Sequence, residues 1–251
     1  MPCEAGNFPL YLFCMPAKHS IKEFVEGGYY HLYNRGVEKQ KIFRDKQDYG
    51  VFLSYLKTYL VPKDEKALRA VLASDTAGWR EKNKAAKLLR LNNFFDDLAL
   101  LAYCLMPNHF HFLVHQKAED TIDRFINSLG TRYTMYFNKK YKRVGPLFQG
   151  VYKAVLVGSD EQLLHLTRYI HRNPKVFYHG KKPASKGDAL RSYEYSSYRE
   201  YGALRRTNWV KPGEILDQFG KKGKMSYQAF VEDADEEDTT RITALVALDD
   251  A

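Results

Sequence analysis

Cysteine is scarce in this chain of 251 residues: Cys3, Cys14 and Cys104 are odd in number and show no Cys-x-x-Cys spacing. This pattern argues against a disulfide framework and a cysteine zinc site, so we expect a reducing cytoplasm as the setting. Long apolar runs are also lacking. The stretch from Asn7 to Pro16 is short, contains two prolines and follows no basic residue. We therefore expect neither a signal peptide nor a membrane span.

Acidic residues are fewer than basic ones, 30 against 39, and many of them lie at the C-terminal end. Residues 231–251 carry eight acids and Arg241, a net charge of −7, so the first 230 residues carry about +16. A folded body this basic attracts polyanions, and nucleic acid is the commonest of these. The charge favours a nucleic-acid partner, with an ordinary lysine excess as the alternative.

The pattern of apolar residues predicts alternating strands and helices. The order is strand, helix, strand, strand, helix, strand and a further helix. It predicts an α+β fold of the ferredoxin-like split β-α-β type, an antiparallel sheet with helices on one face, followed by an extra C-terminal helix. The strands are expected at 28–35, 98–105, 109–116 and 148–157, and the helices at 45–60, 121–140 and 160–173.

The most informative motif is a histidine pair in the apolar run 106–114, where one residue separates His109 from His111. Alternate side chains of a strand point to opposite faces, so the two histidines share one face and Phe110 takes the other. Neutral imidazole is a good ligand for divalent metals. The spacing predicts half of a metal site, with two half-exposed histidines on an ordinary strand as the alternative.

The last predicted helix of the main domain supplies complementary groups. Tyr169 and Asn173 are four residues apart and share a helix face, and Pro174 places the Asn173 amide at the helix end. An amide oxygen suits a hard cation such as Mg²⁺ or Mn²⁺. Tyr169 could then attack a phosphorus whose oxygens the metal holds. The alternative is an ordinary tyrosine that fills the core or the surface.

These two segments carry a family resemblance. The run 106–114 and the heptapeptide Arg168-Tyr169-Ile170-His171-Arg172-Asn173-Pro174 resemble the single-tyrosine HUH transposases, in particular the REP-associated tyrosine transposases and their insertion-sequence relatives. One departure is Val151, where relatives often have arginine. Other matching pieces occur in the same order, at residues 30–36, 136–138, 145–150 and 195–198.

The resemblance implies roles for single residues. His109, His111 and Asn173 would hold Mg²⁺ or Mn²⁺, and Tyr169 would be the nucleophile. Such transposases are HUH endonucleases that cut single-stranded DNA, form a 5′-phosphotyrosine intermediate and release a 3′-OH, which drives DNA recombination and transposition. The implied partner is single-stranded or hairpin DNA with a palindromic element, and the implied location is the nucleoid. Whether the chain acts as a monomer or a homodimer, with Tyr169 in cis or trans, stays open.

Other residues are candidates for supporting roles. His115, His165 and Tyr33 are candidate neighbours of the metal or the phenol, with packing or solvation as the alternative for each. Tyrosines interleaved with basic residues could stack on unpaired bases. The candidate phosphate contacts are Arg35, Arg132, Lys139, Lys140, Lys142, Arg143 and Lys153.

The chain divides into three expected parts. These are an N-terminal arm over 1–20, an HUH transposase-like catalytic domain over 21–180 with a helical insertion at 63–95, and an accessory region over 181–251. The accessory region has helices near 213–219 and 226–235, and its acidic end has the composition of a disordered segment.

Two other functions remain open from the sequence. One is a catalytically silent DNA- or RNA-binding regulator on the same fold. The other is a metal-dependent hydrolase in which water attacks instead of Tyr169.

Overall fold

The computed structural model describes residues 24–174, 186–219 and 226–233. Its strands are Tyr29–Arg35 (β1), Leu98–Met106 (β2), His109–Gln116 (β3) and Lys153–Leu156 (β4). The longer helices are Lys46–Leu60 (α1), Glu65–Ala73 (α2), Trp79–Arg90 (α3), Thr121–Tyr141 (α4) and Asp160–Arg172 (α5). Shorter helices follow at Lys186–Ser192 (α6), Tyr198–Tyr201 (α7), Gly213–Leu216 (α8) and Tyr227–Glu232 (α9). Within these ranges, no helix has the length and apolar character needed to cross a membrane. The predicted N-terminal arm lies outside the described residues.

The strands form one antiparallel sheet in the order β2-β3-β1-β4. α1 lies between β1 and β2 in the chain, and α4 lies between β3 and β4, so each connection passes one intervening strand. The two central strands, β1 and β3, are neighbours. This is the split β-α-β topology of a ferredoxin-like sandwich, and the predicted fold class is confirmed.

Different helices cover the two faces of the sheet. Phe110, Phe112 and Val114 of β3 are buried in a core with α1 and α4. Leu113 points to the opposite face and shares a second core with α5. Each fully buried phenylalanine or leucine contributes roughly 1.5–3 kcal/mol, and a one-residue slip would exchange the two faces. The register of β3 is therefore strongly fixed, and with it the face that carries the histidines.

The predicted insertion at 63–95 folds into the helix pair α2 and α3. Ala85 is the only buried residue that these two helices contribute, and Trp79 is 77% exposed. Lys63 Nζ donates a hydrogen bond to the carbonyl oxygen of Leu91 at 2.5 Å, which ties the two ends of the insertion together. The insertion adds a helical hairpin on the surface and leaves the sheet unchanged.

β4 is shorter than predicted, because pairing with β1 begins only at Lys153. Phe148 forms an isolated bridge to the residue that follows β1, and Gly150 has a φ of +69°, which interrupts an extended run. Tyr152 is buried although it lies outside β4. The aromatic pattern of this segment therefore reflects a loop that packs into the core, and the prediction of a strand over 148–157 was wrong for its first five residues.

The predicted C-terminal helices are present and pack against α5. The helix expected at 213–219 is α8 with a 3₁₀ extension at Asp217–Phe219, and the helix expected at 226–235 is α9. Buried residues of α6 to α9 join Leu166 and Ile170 of α5 in the second core. The accessory region and α5 therefore share one hydrophobic core. The predicted boundary at 180/181 and the acidic end lie outside the described residues.

A buried polar network around Asp48 joins α1 to the end of α4. The Asp48 carboxylate accepts hydrogen bonds from Lys140 Nζ at 2.7 Å, the Tyr141 hydroxyl at 2.8 Å, the Tyr136 hydroxyl at 3.0 Å and the Arg44 backbone at 2.8 Å. Burial alone would raise the pKa of Asp48, but the hydrogen bonds, first among them that from Lys140, hold the pKa below its usual value. The ionised carboxylate is thus part of the folded structure.

Replacement of Asp48 by asparagine should lower the free energy of unfolding by about 2–3 kcal/mol, because it replaces a buried carboxylate that accepts four hydrogen bonds by an amide whose nitrogen cannot accept them. Urea unfolding followed by circular dichroism measures the change. The control is Glu65→Gln, which removes an exposed ion pair with Arg69 and should cost about 0.5 kcal/mol or less. Similar small losses in both variants would contradict this role of Asp48.

Candidate active site

The register of the central strands assembles one wall of the site. Arg35 of β1 lies opposite His109 of β3, and Tyr33 lies opposite His111. On the other side of β1, Lys153 of β4 lies opposite Tyr33, with its Nζ 5.8 Å from the centre of the Tyr33 ring. Directly opposite residues of antiparallel strands project from the same face. The sheet therefore presents two imidazoles, a phenol and two basic groups side by side.

α5 lies across this wall and brings Tyr169 to the histidines. Ser159 caps the helix by accepting a hydrogen bond from a backbone N–H of the first turn at 3.1 Å. Leu166 and Ile170 pack into the second core and fix which side of the helix faces the sheet. The ring centre of Tyr169 lies 5.5 Å from that of His111, and the rings meet edge to face. The structure thus brings the predicted nucleophile and one predicted ligand together within a single chain.

His171 anchors the last turn of α5. Its Nδ1 hydrogen-bonds to the hydroxyl of Tyr227 at 2.6 Å, and its Nε2 to Ser197 Oγ at 2.8 Å. Ser197 Oγ in turn accepts a hydrogen bond from the backbone of Tyr103 in β2 at 2.8 Å. Burial lowers the pKa of His171 to about 3. A neutral, buried imidazole therefore joins α5 to the sheet and to α9, two residues from Tyr169.

The free energy of unfolding should decrease as the pH falls below about 6.5. Burial holds the pKa of His171 and of His31 at about 3 in the folded chain, whereas unfolded histidine takes up a proton near pH ~6.5. Between these values the unfolded state binds more protons, so each histidine removes about 1.4 kcal/mol of stability per pH unit. Urea midpoints between about pH 7.5 and about pH 5 measure the loss. A constant midpoint over that range would show that these histidines are protonated in the folded chain.

Both histidines of the pair have a partner on one ring nitrogen. His109 Nδ1 lies 2.7 Å from Asn108 Oδ1, an acceptor, so Nδ1 carries the proton and Nε2 keeps its lone pair. His111 Nδ1 lies 3.0 Å from His31 Nε2. Burial, reinforced by His109 and His31, lowers the pKa of His111 well below 6.5. A neutral imidazole held by an outer partner is the form in which histidine binds metals.

Asn173 caps the end of α5. Its Nδ2 donates a hydrogen bond to the backbone oxygen of Tyr169 at 3.0 Å, and its amide oxygen is the remaining side-chain acceptor. The described part of the chain holds no group of three or more His, Cys, Asp or Glu residues suited to a metal ion. A cation here would therefore depend on His109, His111 and a neutral oxygen. In this donor set the amide oxygen and the absence of a thiolate favour Mg²⁺ or Mn²⁺.

His31 is a site residue that the sequence prediction left out. Its ring stacks on Tyr33 and on His111, with centres 4.8 Å and 5.1 Å apart, and it meets the ring of Tyr169 edge-on at 6.3 Å. It is only 1% exposed. The available signal was its spacing of two residues from Tyr33 on a central strand. Tyr33, a predicted neighbour of the site, lies in the same cluster.

The two other candidate histidines have partners outside this cluster. His115 stacks on Tyr29 with ring centres 4.2 Å apart, and its Nδ1 lies 3.6 Å from a carboxylate oxygen of Glu214. His165 Nδ1 lies 2.8 Å from a guanidinium nitrogen of Arg168. The contacts of His115 join β3 to β1 and α8, and the contact of His165 lies within α5. They give no support to a role beside the metal for His115 or beside the phenol for His165.

Two of the predicted phosphate contacts lie on the face of the histidines. Arg35 stands beside His109, and its Nε donates to Gln149 Oε1 at 2.8 Å. Lys153 is exposed and lies beside Tyr33. Lys139 and Lys142 are exposed at the end of α4.

The remaining basic candidates are engaged within the protein. Lys140 forms ion pairs with Asp45 and Asp48, both at 2.7 Å. The Arg132 guanidinium lies 3.8 Å from the ring centre of Tyr55. Arg143 donates to Asn138 Oδ1 at 3.0 Å. Phosphate contact by these three residues stays a prediction, although two carboxylates lie beside Lys140 and the Arg132 guanidinium packs on an aromatic ring.

Comparison with known proteins agrees with the resemblance. Residues 80–173, from α3 to Asn173, match the family described as transposase IS200-like. The matched segment includes the histidine pair, Tyr169 and Asn173, the residues on which the resemblance rests, and it supports the predicted superfamily.

Two solved structures are similar to the chain. One is a REP-associated tyrosine transposase bound to a REP hairpin, with 12% identity, 82% of this chain and 97% of that chain covered, and a TM-score of 0.41. The other is a candidate transposase from Deinococcus radiodurans R1, with 17% identity, 61% and 95% covered, and a TM-score of 0.26. No curated protein matches the chain.

Proposed function

We propose that this transposase is a metal-dependent single-strand DNA endonuclease and strand transferase of the HUH type, with Tyr169 as its nucleophile. The observation that carries the proposal is the position of Tyr169, whose ring centre lies 5.5 Å from that of His111 of the same chain. α5 is held there by apolar packing and by the hydrogen bonds of His171. We therefore propose that Tyr169 acts in cis, on a phosphate held beside the histidines of its own chain.

The proposed cleavage exchanges one phosphoester for another. Tyr169 Oη attacks the scissile phosphorus, so that a bond from phosphorus to Oη forms and the bond from phosphorus to the 3′ oxygen breaks. The phenol proton passes to solvent, and the departing 3′ oxygen takes up a proton. The products are a 5′-phosphotyrosine and a free 3′-OH. The 3′-OH of a second strand then attacks the phosphotyrosine, restores a phosphodiester and releases Tyr169, so no nucleotide cofactor is consumed.

The residues around Tyr169 have distinct parts in this reaction. His109, His111 and Asn173 would hold Mg²⁺ or Mn²⁺, which polarises the scissile phosphate and stabilises charge on its oxygens. Arg35 and Lys153 flank the histidines on the same face and can bind phosphates on either side of the cut.

The proposed DNA substrate follows from charge. Lys139 and Lys142 are further exposed basic residues, at the end of α4. The basic first 230 residues favour a polyanion, and the family resemblance suggests a hairpin beside the cut. We therefore propose single-stranded DNA with an adjoining hairpin as the substrate.

An adduct assay with the full chain tests the proposal. The probes are 5′- and 3′-labelled single strands from the DNA that flanks the gene, each with its hairpin intact or scrambled. The expected result is a covalent protein–DNA band in Mn²⁺ that is absent in EDTA and weaker with the scrambled hairpin. Free 5′-phosphate ends without an adduct would show a hydrolase that uses water. Equal binding in Mn²⁺ and EDTA without cleavage would show a regulator that has no catalytic activity.

A further inference from the structure

His31 has a buried ring nitrogen with no hydrogen-bond partner in the described structure. The residue is 1% exposed, and its Nε2 lies 3.0 Å from His111 Nδ1, whereas its own Nδ1 is buried and unsatisfied. A buried polar atom without a partner costs free energy, and such atoms often mark a functional requirement. Neither the fold nor the cleavage step proposed above uses His31.

The hydrogen bond between the two imidazoles restricts how His111 can bind a metal. A neutral imidazole carries one proton and can donate from one nitrogen only. If His31 Nε2 donates, His111 must carry its proton on Nε2 and cannot offer that nitrogen to a metal. If His111 Nδ1 donates, its Nε2 is free for a metal, and His31 must carry its own proton on the unsatisfied Nδ1. Metal binding through His111 Nε2 therefore requires the second arrangement.

We propose that His31 is a positioning residue that accepts the Nδ1–H of His111 and so holds His111 in its metal-binding tautomer. The proposal rests on the metal-dependent function above. Passing from the first arrangement to the second shifts one proton in each ring, from Nε2 to Nδ1, without changing the charge of the pair. The stacking of His31 between Tyr33 and His111 keeps the acceptor in line. In the metal-bound form, the Nδ1–H of His31 is the buried group without an acceptor, and His31 Nε2 accepts the Nδ1–H of His111. The affinity of the site for the metal therefore depends on His31 Nε2.

Two substitutions separate a positioning role from packing. His31→Phe keeps a ring for stacking but cannot accept a hydrogen bond, whereas His31→Gln packs less well and offers an amide oxygen near the position of Nε2. The measurement is the Mn²⁺ dissociation constant of the full chain, from the electron paramagnetic resonance of free Mn²⁺. We expect His31→Phe to raise the constant about 10–100-fold, the usual effect of losing an outer partner. His31→Gln should stay within about threefold of the parent chain, because it keeps an acceptor.

The control is His115→Phe, on the same face of β3 but stacked on Tyr29, which should leave Mn²⁺ binding unchanged. Thermal unfolding of each variant gives the packing contribution separately. A packing role predicts that phenylalanine is tolerated better than glutamine in both assays. Our proposal predicts the opposite order for Mn²⁺ affinity, whatever the order for stability. Equal Mn²⁺ affinities in His31→Phe and the parent chain would overturn it.

The tautomers can also be observed directly in the unsubstituted protein. Long-range ¹H–¹⁵N correlation spectra of the histidine rings identify which nitrogen carries each proton. In saturating Mg²⁺ we expect the protons on Nδ1 of His111 and Nδ1 of His31. A proton on Nε2 of His31 in that state would refute the proposal.

Failure of this proposal is distinguishable from failure of the proposed function. If the parent chain does not bind Mn²⁺, or if His109→Ala and His111→Ala bind it as well as the parent chain does, the metal site itself is wrong, and the proposal falls with it. If those two variants lose Mn²⁺ and His31→Phe does not, the proposed function stands and only the role of His31 is refuted.

Discussion

Replacement of Tyr169 by phenylalanine is expected to abolish the covalent protein–DNA adduct and to lower strand cleavage by at least about 10³-fold, since the reaction loses its nucleophile. The substitution removes one oxygen and keeps the ring that packs edge-on against His111. Stability should therefore change by less than about 1 kcal/mol. Binding of hairpin DNA in EDTA should be unchanged, because the lost hydroxyl carries no charge.

The matched control is Tyr55→Phe on α1, at the opposite face of the sheet. The Tyr55 ring supports the Arg132 guanidinium, and phenylalanine retains that contact. The control should form the adduct at the parent rate. An adduct of undiminished yield in Tyr169→Phe would show that another residue attacks the phosphorus.

Substitution of His109 by alanine is expected to raise the Mn²⁺ dissociation constant by more than about 100-fold. Loss of a residue that only hydrogen-bonds to a metal ligand weakens metal affinity about 10–100-fold, and loss of a ligand itself should weaken it more. Cleavage at low Mn²⁺ should fall in parallel and recover in part at high Mn²⁺. His109 is half-buried, whereas His111 is 4% exposed. Alanine at position 109 should therefore disturb the packing less than alanine at position 111, so a loss of Mn²⁺ affinity in His109→Ala is easier to assign to the lost ligand.

His115→Ala is the control for the His109 variant, since it removes an imidazole from the same strand face without touching the cluster. It should keep both Mn²⁺ affinity and cleavage. Parent-level Mn²⁺ affinity in His109→Ala would remove this residue from the proposed ligand set.

The parts of the fold set by local patterns could be predicted from the sequence. Alternation along β3 places His109 and His111 on one face because the buried Phe110 between them and Phe112 after them point to the opposite core. The order of strands and helices indicates the topology, and Pro174 indicates where α5 ends. These features depend on residues that are close in the sequence, through the period of the apolar residues and the helix-ending effect of proline, and both can be read from the sequence.

The features that the sequence does not indicate depend on contacts between distant segments. Lys140 lies in a basic run of the sequence, and only the approach of α1 brings Asp45 and Asp48 to it. His31 is 80 positions from His111 in the chain, and their hydrogen bond follows from the pairing of β1 with β3. His171 finds its partners in Ser197 and Tyr227, in a region that the sequence indicates only as accessory.

The central claim is that Tyr169 becomes covalently attached to the 5′ end of the cut strand. The most direct measurement is mass spectrometry of the adduct formed in Mn²⁺, after nuclease trimming of the DNA and digestion with trypsin. The account predicts a nucleotide mass on the short peptide between Arg168 and Arg172, attached to Tyr169 through a phosphodiester. A nucleotide on any other residue, or cut DNA with free 5′-phosphates and no linked peptide, would contradict it.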